Sequence, residues 1–77
     1  MDATKFEELK NGVQEIIDLI ASKNLKEANN KLVEVSDELD ELLDYADDDE
    51  DLVEISKFQV LLNQLHQKIV LLKAQLN

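Results

Sequence analysis

The chain reads as an all-α protein, an antiparallel up-down-up three-helix bundle with a long third helix. Three observations predict this. Apolar residues recur at alternating spacings of three and four, which marks one face of an α-helix. That repeat changes frame twice, dividing the pattern into three segments. The 77 residues also contain no Pro and a single Gly, and no stretch of strand length has a period of two.

The first segment, about residues 4–21, carries Phe6, Leu9, Val13, Ile16 and Ile20 on one face, with Ile17 and Leu19 flanking. Thr4 followed three residues later by Glu7 fits a capping box, in which side chain and backbone satisfy each other's free groups at a helix start. Beyond Ile20 the next seam positions would be Lys23 or Asn24, and neither is apolar. Ser22-Lys23-Asn24 therefore reads as a turn. Gly12 lies on a flank of this helix. It costs about 1 kcal/mol relative to Ala, and either a close helix approach or tolerated drift accounts for it.

The second segment, about residues 25–46, takes a new frame through Leu25, Ala28, Leu32, Val35, Leu39 and Leu42. Asn24 with Glu27 suggests a second capping box. The opposite face is acidic, with Glu27, Glu34, Asp37, Glu41 and Asp44.

The third segment, about residues 49–76, is the longest. Its seam is Ile55, Phe58, Leu62, Leu65, Ile69, Leu72 and Leu76, an unbroken heptad pattern. Extending the frame of the second helix would put Asp49 and Ser56 in the seam, so the chain must reverse within the acidic stretch. Asp is a good N-cap, and acids in a first turn complement the helix dipole. Two short connections make consecutive helices antiparallel neighbours. The competing architecture fuses the first two helices into one arm of a hairpin that dimerises; the break at residues 22–24 argues against it.

One domain, residues 1–77, is all this length allows. Leu, Ile, Val and Phe supply 27 of the residues, more than a third, so the chain can fold despite its charge. A core this small seldom exceeds about 3–5 kcal/mol of net stability, which makes self-association a standing expectation. Met1 leads directly into Asp2 and a helical pattern, so no secretory signal is expected. No apolar run approaches the roughly 20 residues that span a bilayer. With no Cys in addition, the expected location is cytoplasmic and no membrane partner is expected.

The formal net charge is −10, and every basic residue is Lys. Such a surface repels phosphate backbones and lacks the guanidinium forks that read bases, so no direct nucleic-acid binding is expected. The charge is uneven. Residues 47–54 hold six acids and no Lys, whereas residues 55–77 hold three Lys and no acid. One pole of the bundle is acidic and the other carries Lys23, Lys26, Lys68 and Lys73.

Chemistry is sparse. Asp47-Asp48-Asp49-Glu50-Asp51 offers oxygen ligands to a hard cation, and weak divalent binding there is one expectation. The register of a calcium loop fails, however: from Asp47, the sixth position is Leu52 instead of Gly and the twelfth is Phe58 instead of Glu. A solvated, dipole-matched helix start explains the run more simply. His66, the only His, lies at the edge of the third seam, where a structural role is the plainer reading. It has no Cys or second His for a zinc site, and the few hydroxyls occupy no nucleophile context. No cofactor and no catalysis are expected.

Asn24-Leu25-Lys26-Glu27-Ala28 with Leu32 resembles the second helix of a tetratricopeptide repeat over about ten residues. The aromatic and small residues of a preceding helix, the later Pro and a second copy are absent, so nothing is carried over.

The informative surface is on the third helix. At 100° per residue, Val53, Val60 and Leu71 fall opposite the heptad seam, with Leu52 and Val70 between. Around them are Gln59, Asn63, Gln64, Gln67 and Gln75, polar but uncharged. Charge depletion around exposed aliphatics is how a contact surface looks, although isolated exposed Val and Leu are ordinary. The expectation is a non-enzymatic protein–protein interaction module, self-associating as a homodimer through Val53, Val60, Gln64, Gln67, Leu71 and Leu76. The alternative is an acidic regulator, a chaperone-like or antitoxin-like binder of a basic partner or a nucleic-acid mimic. That reading uses Glu27, Glu34, Asp37, Glu41 and Asp44.

Overall fold

A computed structural model describes residues 3–76, and side chains from Phe6 to Gln75. Among the described residues there are three helices and no strand: α1 Ala3–Ala21, α2 Leu25–Tyr45 and α3 Asp49–Leu76. They form an all-α three-helix bundle. The long dimension is 44 Å, against 17 and 14 Å across. At a rise of 1.5 Å per residue α3 alone is about 42 Å long, so the helices lie side by side instead of end to end.

Contacts between α1 and α2 set their direction. Gly12 faces Val35 and Lys31; the Glu15 carboxylate meets Lys31 at 3.1 Å; Glu8 shares a concavity with Glu38, Glu41, Leu42 and Tyr45. Positions in α2 fall as those in α1 rise, which is antiparallel order. After only residues 46–48, α3 returns alongside α2, where Gln59, Leu62 and Asn63 line a groove with Ser36, Leu39 and Asp40. The middle helix packs along both neighbours, while α1 and α3 meet over a smaller area. Their clearest contact is the parallel stack of Phe6 on Phe58, with centroids 6.2 Å apart and ring planes within 3°.

The three frames converge on one interior. Leu9, Val13, Ile16 and Ile20 of α1 are buried, as are all six seam positions of α2 and Ile55, Phe58, Leu62, Leu65 and Ile69 of α3. Phe6, Leu19, Leu61 and Leu72 close the margins of this core. No polar side chain among the described residues is buried with it. The stability of the bundle therefore rests on apolar area, at roughly 25 cal/mol per Å² removed from water.

The turn between α1 and α2 holds the only positive φ of a non-glycine residue among those described, Lys23 at 64°. The Asn24 amide donates to the carbonyl of Leu19 at 2.8 Å, and the Lys23 amide donates to Ile20 at 3.0 Å. This pair of bonds around a left-handed residue is a Schellman motif, and it satisfies carbonyls that the last turn of α1 would leave free. It makes a full break, so the fused-helix hairpin is not adopted. Asn24 stands at the N-cap of α2 but makes no side-chain capping bond. Its amide nitrogen instead donates to the Ser22 hydroxyl at 3.5 Å. The capping box expected with Glu27 is therefore not formed: the backbone at φ −84°, ψ 68° is outside the β region typical of an N-cap. The Thr4 side chain, and with it the first expected box, lies outside the described residues.

At the other end α2 closes at Tyr45, one residue earlier than expected. Ala46 is extended at φ −77°, ψ 124°, and its amide still reaches Leu43 at 3.3 Å. The carbonyl of Asp48 accepts from the Leu52 amide at 3.1 Å and opens α3. Asp49, Glu50 and Asp51 occupy the first turn and Lys73 the last, matching the charges to the helix dipole.

Candidate interaction surface

On α3, Ile55, Phe58, Leu62, Leu65 and Ile69 point inward, and the helix has a second, outward face of exposed aliphatic and uncharged polar residues flanked by Lys57 and Lys68. Val53 is 53% exposed, Val60 57%, Val70 51% and Leu71 64%. Gln64 and Gln67, between them, are exposed, as are Ser56, Asn63 and Ala74. The side chain of Leu76 lies outside the described residues. Along this face Val53, Ser56, Val60, Asn63, Gln67, Val70 and Ala74 repeat the three-four spacing of the buried seam. A helix with a seam on both sides loses the one-sided character of α1 and α2, and α3 is the least amphipathic of the three.

At its N-terminal end the face dips into a shallow trough lined by Asp49, Leu52, Val53, Ser56, Lys57 and Val60. Lys57 lies at the rim, where its ammonium is 3.4 Å from the Glu54 carboxylate, one turn back. The nearest positive charge is thus partly answered within the helix, and the apolar floor is left uncharged. At the other end, the projecting part of α3 is shorter than its length suggests. Leu72 still packs against the core, so the free stretch begins at Lys73. Leu71 is exposed because it points outward, not because it overhangs.

The acidic residues of α2 form a separate surface. Glu27, Glu34, Asp37, Glu41 and Asp44 are all exposed, on the side away from the α2 seam. Glu34 has a partner in Lys31 at 3.8 Å. The same lysine is closer to Glu15 of α1, and its pKa is raised by the hydrogen bond and charge of Glu15, with Glu34 and Glu38 adding to the effect. This lysine is the bridge between α1 and the acidic face.

Three features were not legible as sites. Val33 on α2 is 53% exposed and Tyr45 is 72% exposed, yet neither interrupts a recognisable pattern. Tyr45 instead borders the concavity with Glu8, Glu38 and Glu41. His66, expected at the margin of the core, is exposed. The seam of α3 is narrow at that level, and a residue one step past Leu65 already clears it.

No group of three or more acidic, His or Cys side chains among the described residues is gathered as a metal ion would require. Asp47 to Glu50 are exposed and solvated. No described helix is long and apolar enough to cross a membrane. Among known proteins, no family model, curated protein or solved structure matches the chain.

Proposed function

We propose that this protein is a non-enzymatic protein–protein interaction module that self-associates through the outer face of α3. The observation that carries this reading is the row of exposed, uncharged residues Val53, Val60, Gln64, Gln67 and Leu71, in a chain in which 34% of residues are charged. Interface centres are depleted of charge relative to the rest of a surface, and exposed aliphatics carry a hydration cost that burial against a partner removes. The small core adds a reason, since oligomerisation is a common staple for domains of this size.

Sedimentation equilibrium at tens of micromolar tests it, alongside a variant carrying both Val60→Lys and Leu71→Lys. The expected result is a dimer for the parent chain and a folded monomer of lower melting temperature for the variant. A parent that sediments only as monomer, with melting unchanged in the variant, overturns the reading.

A second reading draws on the exposed acids of α2: a regulator occupying a basic partner through Glu27, Glu34, Asp37, Glu41 and Asp44. Salt separates the two. Binding through the acidic face weakens steeply from low to moderate ionic strength, whereas packing of the α3 stripe changes little.

A further inference from the structure

The outer stripe of α3 has a direction, and its direction constrains how two copies meet. Its large aliphatics are Val53 near the start of the helix, Val60 near its middle, and Val70 and Leu71 towards its end. The charges around it are segregated: Asp47, Asp48, Asp49 and Glu50 crowd the start of α3, and Lys68 and Lys73 lie towards its end. Lys23 and Lys26, at the turn between α1 and α2, belong to the same pole as the end of α3.

We propose that two copies pair α3 against α3 in antiparallel fashion, about a two-fold axis near Leu62, with Val53 of one copy against Leu71 of its partner. This rests on the reading of the stripe as a self-association surface and specifies its partner and geometry. In this register Val60 lies opposite the partner's Gln64. The two Val60 side chains flank the axis, so the apolar positions of both copies fall along one row, spaced at most about two helical turns apart. A two-fold axis makes every contact occur twice, the self-complementary arrangement of most homodimers.

Charge selects this direction over the parallel one. A parallel pair would set the two acidic starts side by side, within a Debye length of about 8 Å, and leave both lysine ends together. The antiparallel pair places each acidic start beside the lysine end of the other copy. Antiparallel helix dipoles act in the same sense. On the flank, Glu54 already holds Lys57 at 3.4 Å and comes within a turn of the partner's Lys68, so the lysines meeting there share a carboxylate.

The chain contains no Cys, so single substitutions give unambiguous cross-links. Val53→Cys and Leu71→Cys are prepared separately, mixed in equal amounts, oxidised, and the disulfide products identified by mass. Both positions are exposed, and circular dichroism confirms that each variant keeps its helices. The expected product is the mixed 53–71 disulfide. Each variant alone forms little dimer, because 18 positions along a helix put identical residues about 27 Å apart, far beyond the roughly 7 Å that a disulfide tolerates. If Val53→Cys cross-links to itself as readily as to Leu71→Cys, the copies are parallel or unregistered and the proposal is overturned. Sedimentation of the parent chain separates the two failures. A dimer with the wrong cross-links overturns only the direction, whereas a monomer overturns the self-association reading as well.

Discussion

A β-carbon built on Gly12 of α1 stands 2.6 Å from Cγ2 of Val35 on α2. Non-bonded carbons essentially never approach so closely, so the absence of a β-carbon at residue 12 is what lets these two helices pack at this spacing. Val35 is 2% exposed and β-branched, with little rotamer freedom to yield. Gly12→Ala therefore exchanges a helix-propensity gain of about 1 kcal/mol for an overpacking cost of about 1–3 kcal/mol. The expected outcome in urea denaturation is a net loss of about 1 kcal/mol. In a Val35→Ala background the clash is gone, and the same Gly12→Ala change becomes stabilising. Loss of stability in both backgrounds would mean the side chain of Val35 is not the obstacle.

Lys23 supplies a residue at φ 64° where helix termini usually place Gly. The left-handed conformation costs a residue with a β-carbon roughly 1–2 kcal/mol. Lys23→Gly is expected to raise the stability of the bundle by about 1 kcal/mol, partly offset by the greater freedom of glycine in the unfolded chain. Lys23→Val, whose branched carbon fits this region poorly, lowers it. Thermal melts of the two variants beside the parent check the order Gly, Lys, Val.

The Phe6–Phe58 stack ties the start of α1 to α3, the pair of helices that otherwise touch least. A double-mutant cycle with Leu at each position removes the ring–ring term while keeping apolar volume. The expected coupling is about 0.5–1.5 kcal/mol. Its absence would reduce the stack to simple burial.

Lys31 gives a pH signature. Its pKa is raised in the folded state by the hydrogen bond and charge of Glu15. A raised lysine pKa means the folded chain holds the proton more tightly than the unfolded one. The stabilisation is then fully present below the ordinary lysine value of 10.5 and is lost as pH climbs through the folded value. The pair is partly exposed, with side chains 29% and 62% accessible, so it contributes at most about 1 kcal/mol, and less in high salt. The stability difference between the parent and Lys31→Gln is expected to hold from pH 7 to 9 and to close above the lysine range. A difference that widened there would reverse the assignment.

Much of this molecule is legible before folding because its interior uses one rule. Leu9, Val13, Ile16 and Ile20 repeat at helical spacing, as do the seam of α2 and, from Ile55 to Ile69, that of α3, and all of these are buried. The outward position of Val53, Val60 and Leu71 follows from the same angular arithmetic and matches their exposure. What escapes is whatever depends on two distant residues or on the backbone. Gly12 is ambiguous by itself, since its meaning comes from Val35, on another helix. Lys has no preference that would announce a left-handed turn, so residue 23 looks like any charged loop position. Asn24 resembles a cap, but the hydroxyl two residues earlier takes its side chain. His66 lies one residue past a seam, and one residue on a helix is a 100° rotation.

The described interior has no buried polar side chain, and every charged group of the described residues is in contact with solvent. The residues proposed for association and those that build the core are thereby different sets. Apart from Lys31, which reaches Glu15 of α1, charge can be exchanged over α2, and the outer stripe of α3 redrawn, without touching a side chain of the buried core. A scaffold built this way can change its associations by surface substitution alone, and keep its shape through all of them.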